Sequence, residues 1–248
     1  MEQIPQKKDI KTPILQVRNL VKTYKSGDIE TKVLKSINLD IFKAEFLGII
    51  GRSGAGKSTF LYQISLLDRP TEGEIFFRGK EVSTLDERSK TLIRLNHFGY
   101  IFQDYALIPE LTAEENIMLP LLMKGESDGV ACMSARKALD QVGLEGKYSN
   151  RPNQLSGGEQ QRVSIARAVA HNPSVLFADE PTANLDSQSA EKVLNVLREL
   201  NKEGQTIVMV THDVEYTKSC DRIVQLGDGK IVKITTPHGI EGESFMKI

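Results

Sequence analysis

One stretch constrains this chain more than any other: GRSGAGKS, Gly51–Ser58. It follows a short uninterrupted apolar run, FLGII (Phe46–Ile50), and opens a segment that reads as a helix over Lys57–Leu67, ended by Pro70. A continuous apolar pentad suits a strand buried on both faces, as in a parallel sheet covered by helices. Between such a strand and a helix, G-x-x-x-x-G-K-S is a phosphate-wrapping loop. Gly51, Gly54 and Gly56 allow close backbone approach, so successive N–H groups can converge on phosphate oxygens. The helix N-terminus adds about half a positive charge. Lys57 is placed to reach the β and γ phosphates and the Ser58 hydroxyl to ligate Mg²⁺. The expected phosphate contacts run from Gly51 to Thr59, taking in Arg52, Ser53, Ala55 and Thr59. Arg52 stands at a variable position of the loop, and its side chain carries no reading.

A partner carboxylate is expected at the end of a neighbouring strand. SVLFADE (Ser174–Glu180) supplies two. Alone, it is a strand ending in an acidic turn. Paired with the phosphate loop, Asp179 is placed to hold Mg²⁺ through a water, and Glu180 to orient or deprotonate an attacking water. A GTPase would carry N-K-x-D at a strand end; NKEG (Asn201–Gly204) lacks the aspartate and ends a helix. No arginine-rich lid marks a small-molecule kinase.

Around these motifs the chain alternates in texture. PILQVRNL, SINLDIF and EIFFRG show the near-alternation of half-buried strands and predict a small antiparallel sheet. Leu85–Leu95 reads as a helix, followed by a strand, FGYIF. Thr112–Val142 reads as mostly helix, with a Thr112/Glu115 capping box, a kink at Pro120 and Gly143 as C′ residue. SVLFA and TIVMVT are buried strands flanking a helix over Ser187–Glu203, whose Val193, Val196, Leu197 and Leu200 share a face. RIVQL and KIVKI are joined by a GDGK turn. The rhythm argues for a mostly parallel sheet covered on both faces.

With 33 acidic against 32 basic residues, bulk charge gives no reason to expect nucleic acid as a partner. Cys132 and Cys220 form no CxxC pair and read as reduced thiols. The N-terminus lacks the apolar core of a secretory signal, and no apolar run approaches the roughly 20 residues that span a bilayer. His97 and His238 read as structural; His171, at a helix C-terminus, is placed to complement the helix dipole.

A second glycine-rich helix start, NQLSGGEQQR (Asn153–Arg162), raises a separate question. Ser156 and Glu159 fit a capping box, and by itself this is only a well-made helix start. Gly157 and Gly158 each disfavour the helix by roughly 1 kcal/mol against alanine. Their presence implies exposed backbone N–H groups at a capped N-terminus, which is an anion site.

LSGGEQQR resembles the signature sequence of ATP-binding cassette (ABC) ATPases, and the rest of that family's motifs follow in order over about residues 14–235. Tyr24 matches the aromatic residue that stacks on adenine. Gln103 matches the Q-loop glutamine, a Mg²⁺ and water ligand. Asp179 and Glu180 match the Walker B pair, Asn184–Asp186 the D-loop, and His212 the switch histidine. The resemblance implies a P-loop NTPase (RecA-like) core with a small antiparallel β subdomain and an inserted α-helical subdomain at about 104–165. This domain spans 13–235, between a polar tail over 1–12 and a C-terminal tail over 236–248. It implies ATP hydrolysis with ATP and Mg²⁺, in which two copies pair head to tail. Ser156, Gly157, Gly158 and Asp186 of one copy then close on the nucleotide of the other.

With one cassette and no coiled coil, the chain looks like a stand-alone subunit held at the cytoplasmic face of a membrane by a separate permease. FQDYALIPELTAEENIMLPLL and EPTANLD are similar to the lipoprotein-releasing, macrolide-exporting and cell-division branch. Tyr105–Leu111 is expected to line the groove that receives the permease. A regulatory ATP-dependent clamp that recruits division partners is the alternative.

Overall fold

The computed structural model describes residues 13–236. The expectations for residues 1–12 and for the tail beyond Thr236, His238 among them, lie outside the described residues. The first half of the chain builds β1 (Pro13–Ser26), β2 (Ile29–Phe42), β3 (Phe46–Ile50), α1 (Lys57–Ile64), β4 (Glu72–Phe77), β5 (Lys80–Glu81), α2 (Glu87–His97), β6 (Phe98–Ile101) and α3 (Ala113–Met123). The second builds α4 (Asp128–Gln141), α5 (Gly157–Val169), β7 (Val175–Asp179), α6 (Ser187–Lys202), β8 (Thr206–Val210), β9 (Arg222–Gly227) and β10 (Lys230–Thr235).

Two sheets result. One is antiparallel, in the order β2-β1-β4-β5; the other runs β10-β9-β3-β8-β7-β6 and is parallel apart from β10. The apolar pentads at β3, β7 and β8 occupy its centre, where α5 and α6 on one side and α1 with the antiparallel sheet on the other remove both faces from water. Phe177 and Val208 point into a core shared with Leu15, Ile41 and Phe60. Their neighbours Leu176, Ile207 and Met209 point into a second core with Ile101, Ile165 and Leu197.

β1 and β2 each run 14 residues, well past the alternating stretches that signal them. Several register shifts absorb the polar residues, and the ribbon continues to a Ser26–Ile29 pair. Bulges of this kind hide a strand from a period-two reading. The long helical stretch divides into α3 and α4 at Gly125, which has φ +90. The Thr112/Glu115 capping box forms, with bonds of 3.2 and 2.8 Å. Pro120 stands inside α3 without ending it, and Gly143 adopts the left-handed conformation just past α4 (φ +71). α3, α4 and α5 pack on one another.

The β9–β10 turn has two left-handed residues, Asp228 and Gly229, the backbone that matches strand twist in a two-residue hairpin. Its tip touches both halves of the molecule: Lys35 N–H donates to Gly229 O at 2.8 Å, and Gly229 N–H donates to Ala55 O at 3.3 Å.

His171 departs from its expected role. It is buried, and burial, aided by the Lys124 charge, pushes its pKa down to about 4. A neutral ring cannot complement a dipole; instead Nε2 lies 3.1 Å from Phe98 O, the geometry of an Nε2–H donor. Both cysteines are free. Burial pushes the Cys220 thiol up to about 12, and the Cys132 thiol donates to Glu114. Among the described residues, no helix is long and apolar enough to cross a membrane.

Candidate nucleotide site

The phosphate loop connects β3 to α1. Gly51 sits so close to Leu226 O that a Cβ would strike it, whereas nothing lies within 4 Å of a Cβ built on Gly54. Gly54 and Gly56 are left-handed (φ +78 and +95), which glycine adopts without strain. The loop therefore leaves an open concavity rimmed by Arg52, Ser53 and Gly54, all exposed. Lys57 is buried, and its ammonium donates back to Gly51 O (3.0 Å) and Arg52 O (3.3 Å). A cation held over its own loop by carbonyl oxygens is poised to exchange them for phosphate oxygens.

Ser58 Oγ donates to Asp179 Oδ1 at 2.9 Å. Parallel pairing of β7 with β8, and of β8 with β3, brings the end of β7 beside the loop. Burial, then the neighbouring Glu180 charge, pushes Asp179 above the usual carboxylate range, against the bonds from Ser58 and Tyr100 and the Lys57 charge. A hydroxyl and a carboxylate in contact are hard oxygen donors. They suit Mg²⁺ when phosphate oxygens and water complete its shell.

Glu180 is nearly buried and holds a left-handed backbone (φ +47). Its N–H donates to Val210 O at 3.0 Å. Oε2 lies 2.8 Å from His212 Nδ1 and accepts the His212 backbone N–H at 3.3 Å. The histidine ring is largely exposed, so the pair faces outward from the end of β8. Gln103 is exposed after β6, and its carbonyl accepts from Asn184 Nδ2 at 3.1 Å, which joins the loop after β6 to the loop after β7.

Tyr24 lies near the end of β1, 43% exposed. Lys22 Nζ stands 4.8 Å from its ring centroid, and its hydroxyl donates to Asp68 Oδ2 at 2.9 Å.

At the second helix start, Ser156 and Glu159 form the reciprocal cap, with bonds of 3.3 and 2.8 Å. The two glycines have an additional reason that spacing does not show. A Cβ on Gly157 would sit 3.0 Å from the Tyr105 hydroxyl, and one on Gly158 would sit 2.9 Å from Ser189 Cβ. Asp186 caps α6, accepting from Ser189 N–H at 2.9 Å and Ser189 Oγ at 2.7 Å. The Gly158–Ser189 approach sets the start of α6 against the tip of α5.

Three contributors escape a reading by motif. Asp68 binds Tyr24. Ser189 meets Gly158. Arg167, in the last turn of α5, donates to the carbonyls of Tyr105 and Ala106, two consecutive left-handed residues. Beside Arg167 lies an apolar groove of about 210 Å³ lined by Leu95, Phe98, Leu119, Pro120 and Met123. The Tyr105–Leu111 segment borders it through Arg167 and supplies none of its lining.

Comparison with known proteins agrees with this geometry. The sequence profile described as "ABC transporter" matches residues 34–183. The chain is 46% identical over 219 residues to the lipoprotein-releasing system ATP-binding protein LolD of Aquifex aeolicus, covering 88% of this chain and 96% of that protein. It is 45% identical over 220 residues to the macrolide export ATP-binding/permease protein MacB of Pasteurella multocida, covering 89% of this chain. It spans only about a third (34%) of that MacB protein's length. The solved dimer of the ATP-binding cassette MJ0796 bound to ADP and Pi superposes with a TM-score of 0.84 at 43% identity, covering 91% of this chain and 99% of that one. The chain belongs to the ABC transporter family, and its fold is that of the family's ATP-binding cassette.

Proposed function

We propose that this chain is the ATP-hydrolysing motor subunit of a membrane transport complex, two copies of it acting on a separate permease at the cytoplasmic face. The observation that carries the reading is the 2.9 Å bond from Ser58 Oγ to Asp179 Oδ1, with Glu180 next in the chain. It supports the reading by joining the phosphate loop to Asp179, the carboxylate we assign to the metal, beside Glu180, the one we assign to the attacking water.

Each residue then has a role. The loop amides from Gly51 to Thr59 and the Lys57 ammonium grip the phosphates, while Tyr24 offers its face to adenine. Ser58, Asp179 and Gln103 would hold Mg²⁺, which when bound would neutralise charge building on the phosphates. Glu180 orients or deprotonates the attacking water, and His212 fixes the Glu180 carboxylate. Ser156, Gly157, Gly158 and Asp186 face the nucleotide of the other copy, and the capped tip of α5 supports this because its N–H groups attract anions. The reading also draws support from the dimeric state of the MJ0796 cassette.

LolD and MacB are named for lipoprotein release and macrolide export, so transport coupling is favoured over a division-type clamp. The groove at Leu95, Phe98 and Met123 receives the permease segment, with the Tyr105–Leu111 loop at its border. The test is sedimentation of Glu180→Gln in ATP and Mg²⁺. A dimer that ATP stabilises is expected; a strictly monomeric species overturns the shared site.

A further inference from the structure

Asp68 lies outside every motif read from the sequence, between α1 and β4, and is only partly exposed. Four groups converge on its carboxylate. Tyr24 Oη donates at 2.9 Å, Gln63 Nε2 at 2.9 Å, Lys22 Nζ at 2.8 Å and the Arg69 backbone N–H at 2.7 Å. These donors come from different parts of the molecule. Tyr24 and Lys22 belong to β1 of the antiparallel sheet, whereas Gln63 is a fully buried residue of α1, the helix that the phosphate loop opens. The carboxylate therefore ties the exposed phenol ring to the phosphate-binding helix.

Lys22 adds a directional constraint. Its ammonium lies over the Tyr24 ring at 4.8 Å from the centroid while also bonding Asp68. A cation over a ring is held by the ring quadrupole, and one that is also ion-paired has little freedom to move. Tyr24 is thus fixed at its hydroxyl and covered on one face, leaving the other for a planar ligand.

We propose that Asp68 is a positioning residue for nucleotide binding, which sets the orientation of the Tyr24 ring relative to the phosphate loop so that base and triphosphate are accepted together. The inference rests on the reading of Tyr24 as the base platform given above. Asp68 touches neither base nor phosphate; it acts through the phenol and through Gln63.

The experiment compares ATP with inorganic tripolyphosphate, which keeps the phosphates and lacks the base, by titration calorimetry on the full chain. Asp68→Ala is expected to weaken ATP by about two- to tenfold, the span of one ordinary hydrogen bond, with tripolyphosphate unchanged. Tyr24→Phe, which removes only the hydroxyl that Asp68 holds, is expected to match it. The double variant is expected to lose no more than either single one, because both break the same contact. Tyr24→Ala is expected to lose more, since it removes the stacking surface itself. Equal weakening of both ligands by Asp68→Ala overturns the proposal, because it marks general damage to α1. So does an unchanged ATP affinity in Asp68→Ala when Tyr24→Ala is weakened. If Tyr24→Ala itself leaves the ratio of the two affinities unchanged, the platform reading fails, and the role of Asp68 fails with it.

Discussion

His212 Nδ1 lies 2.8 Å from Glu180 Oε2, and the same oxygen also accepts the His212 backbone N–H. The two residues follow adjacent parallel strands: β7–β8 pairing sets Asp179, one residue before Glu180, against Val210, two residues before His212. A carboxylate with one oxygen fixed twice keeps the other free for water. Replacing His212 with Ala removes one anchor and leaves the backbone one. Loss of kcat is expected on the order of 10²-fold, the scale of a small misplacement of a reacting group. KM for ATP should be nearly unchanged, since neither residue belongs to the phosphate loop. A steady-state series over ATP concentration separates the two.

Glu180→Gln keeps the shape and removes the base. Hydrolysis is expected to fall by roughly 10²- to 10⁴-fold, the usual span for a general base, while ATP binding persists. Single-turnover hydrolysis against equilibrium binding makes the comparison. Loss of binding in parallel with loss of rate would count against the assigned role.

Mixed dimers test which copy supplies which residue. Ser156→Arg in one copy and Lys57→Ala in the other place both lesions in a single composite site if α5 of one copy serves the loop of its partner, and one intact site remains. ATPase activity of mixtures made from separately tagged copies reads this. Activity no greater than that of a pair carrying both lesions in each copy rejects the crossed arrangement.

The close approach at Gly158 gives a stability prediction. Gly158→Ala pushes a methyl group into Ser189, whose Cβ would be 2.9 Å away, and is expected to destabilise the fold by about 1–3 kcal/mol, as overpacking does. Adding Ser189→Gly removes the obstructing Cβ. Chemical denaturation of the nucleotide-free double variant should recover most of the loss caused by Gly158→Ala, after allowing for the effect of Ser189→Gly alone.

His171 makes a pH prediction. Its folded pKa of about 4 lies below the ordinary value near 6.5. Between the two, the unfolded chain binds the proton and the folded chain does not, so stability rises with pH across that window. The contribution is complete above pH 6.5 and is lost as pH falls to about 4, amounting to on the order of 3 kcal/mol. His171→Gln should flatten that segment of the stability curve relative to the parent chain.

The sequence was legible where chemistry demands a residue type at a spacing. FLGII followed by GRSGAGKS, and SVLFA followed by Asp179 and Glu180, needed only strand patterning and phosphate geometry. The Thr112 cap and the turn at Asp228–Gly229 were legible for the same local reason. Contacts made across the fold left no such trace. Asp68 meets Tyr24 from 44 positions away, and Ser189 meets Gly158 only because α6 lies against α5. The paired glycines suggested exposed amides, yet a Cβ on Gly158 would also strike Ser189 Cβ, 2.9 Å away. A helix terminus is visible in a sequence and the depth of its burial is not, so the dipole role expected of His171 gives way to a buried neutral ring. β1 and β2 extend past their alternating stretches because bulges break the alternation that marks a strand.

The tip of the β9–β10 hairpin gives the far end of this polypeptide a hand in the grip on nucleotide. Gly229 offers its carbonyl to Lys35 and its amide to Ala55, so a turn late in the chain braces the phosphate loop read near the start. Removing that hairpin would do more than expose a sheet edge. It would loosen a loop formed some 175 positions upstream, making nucleotide affinity a property of the whole domain.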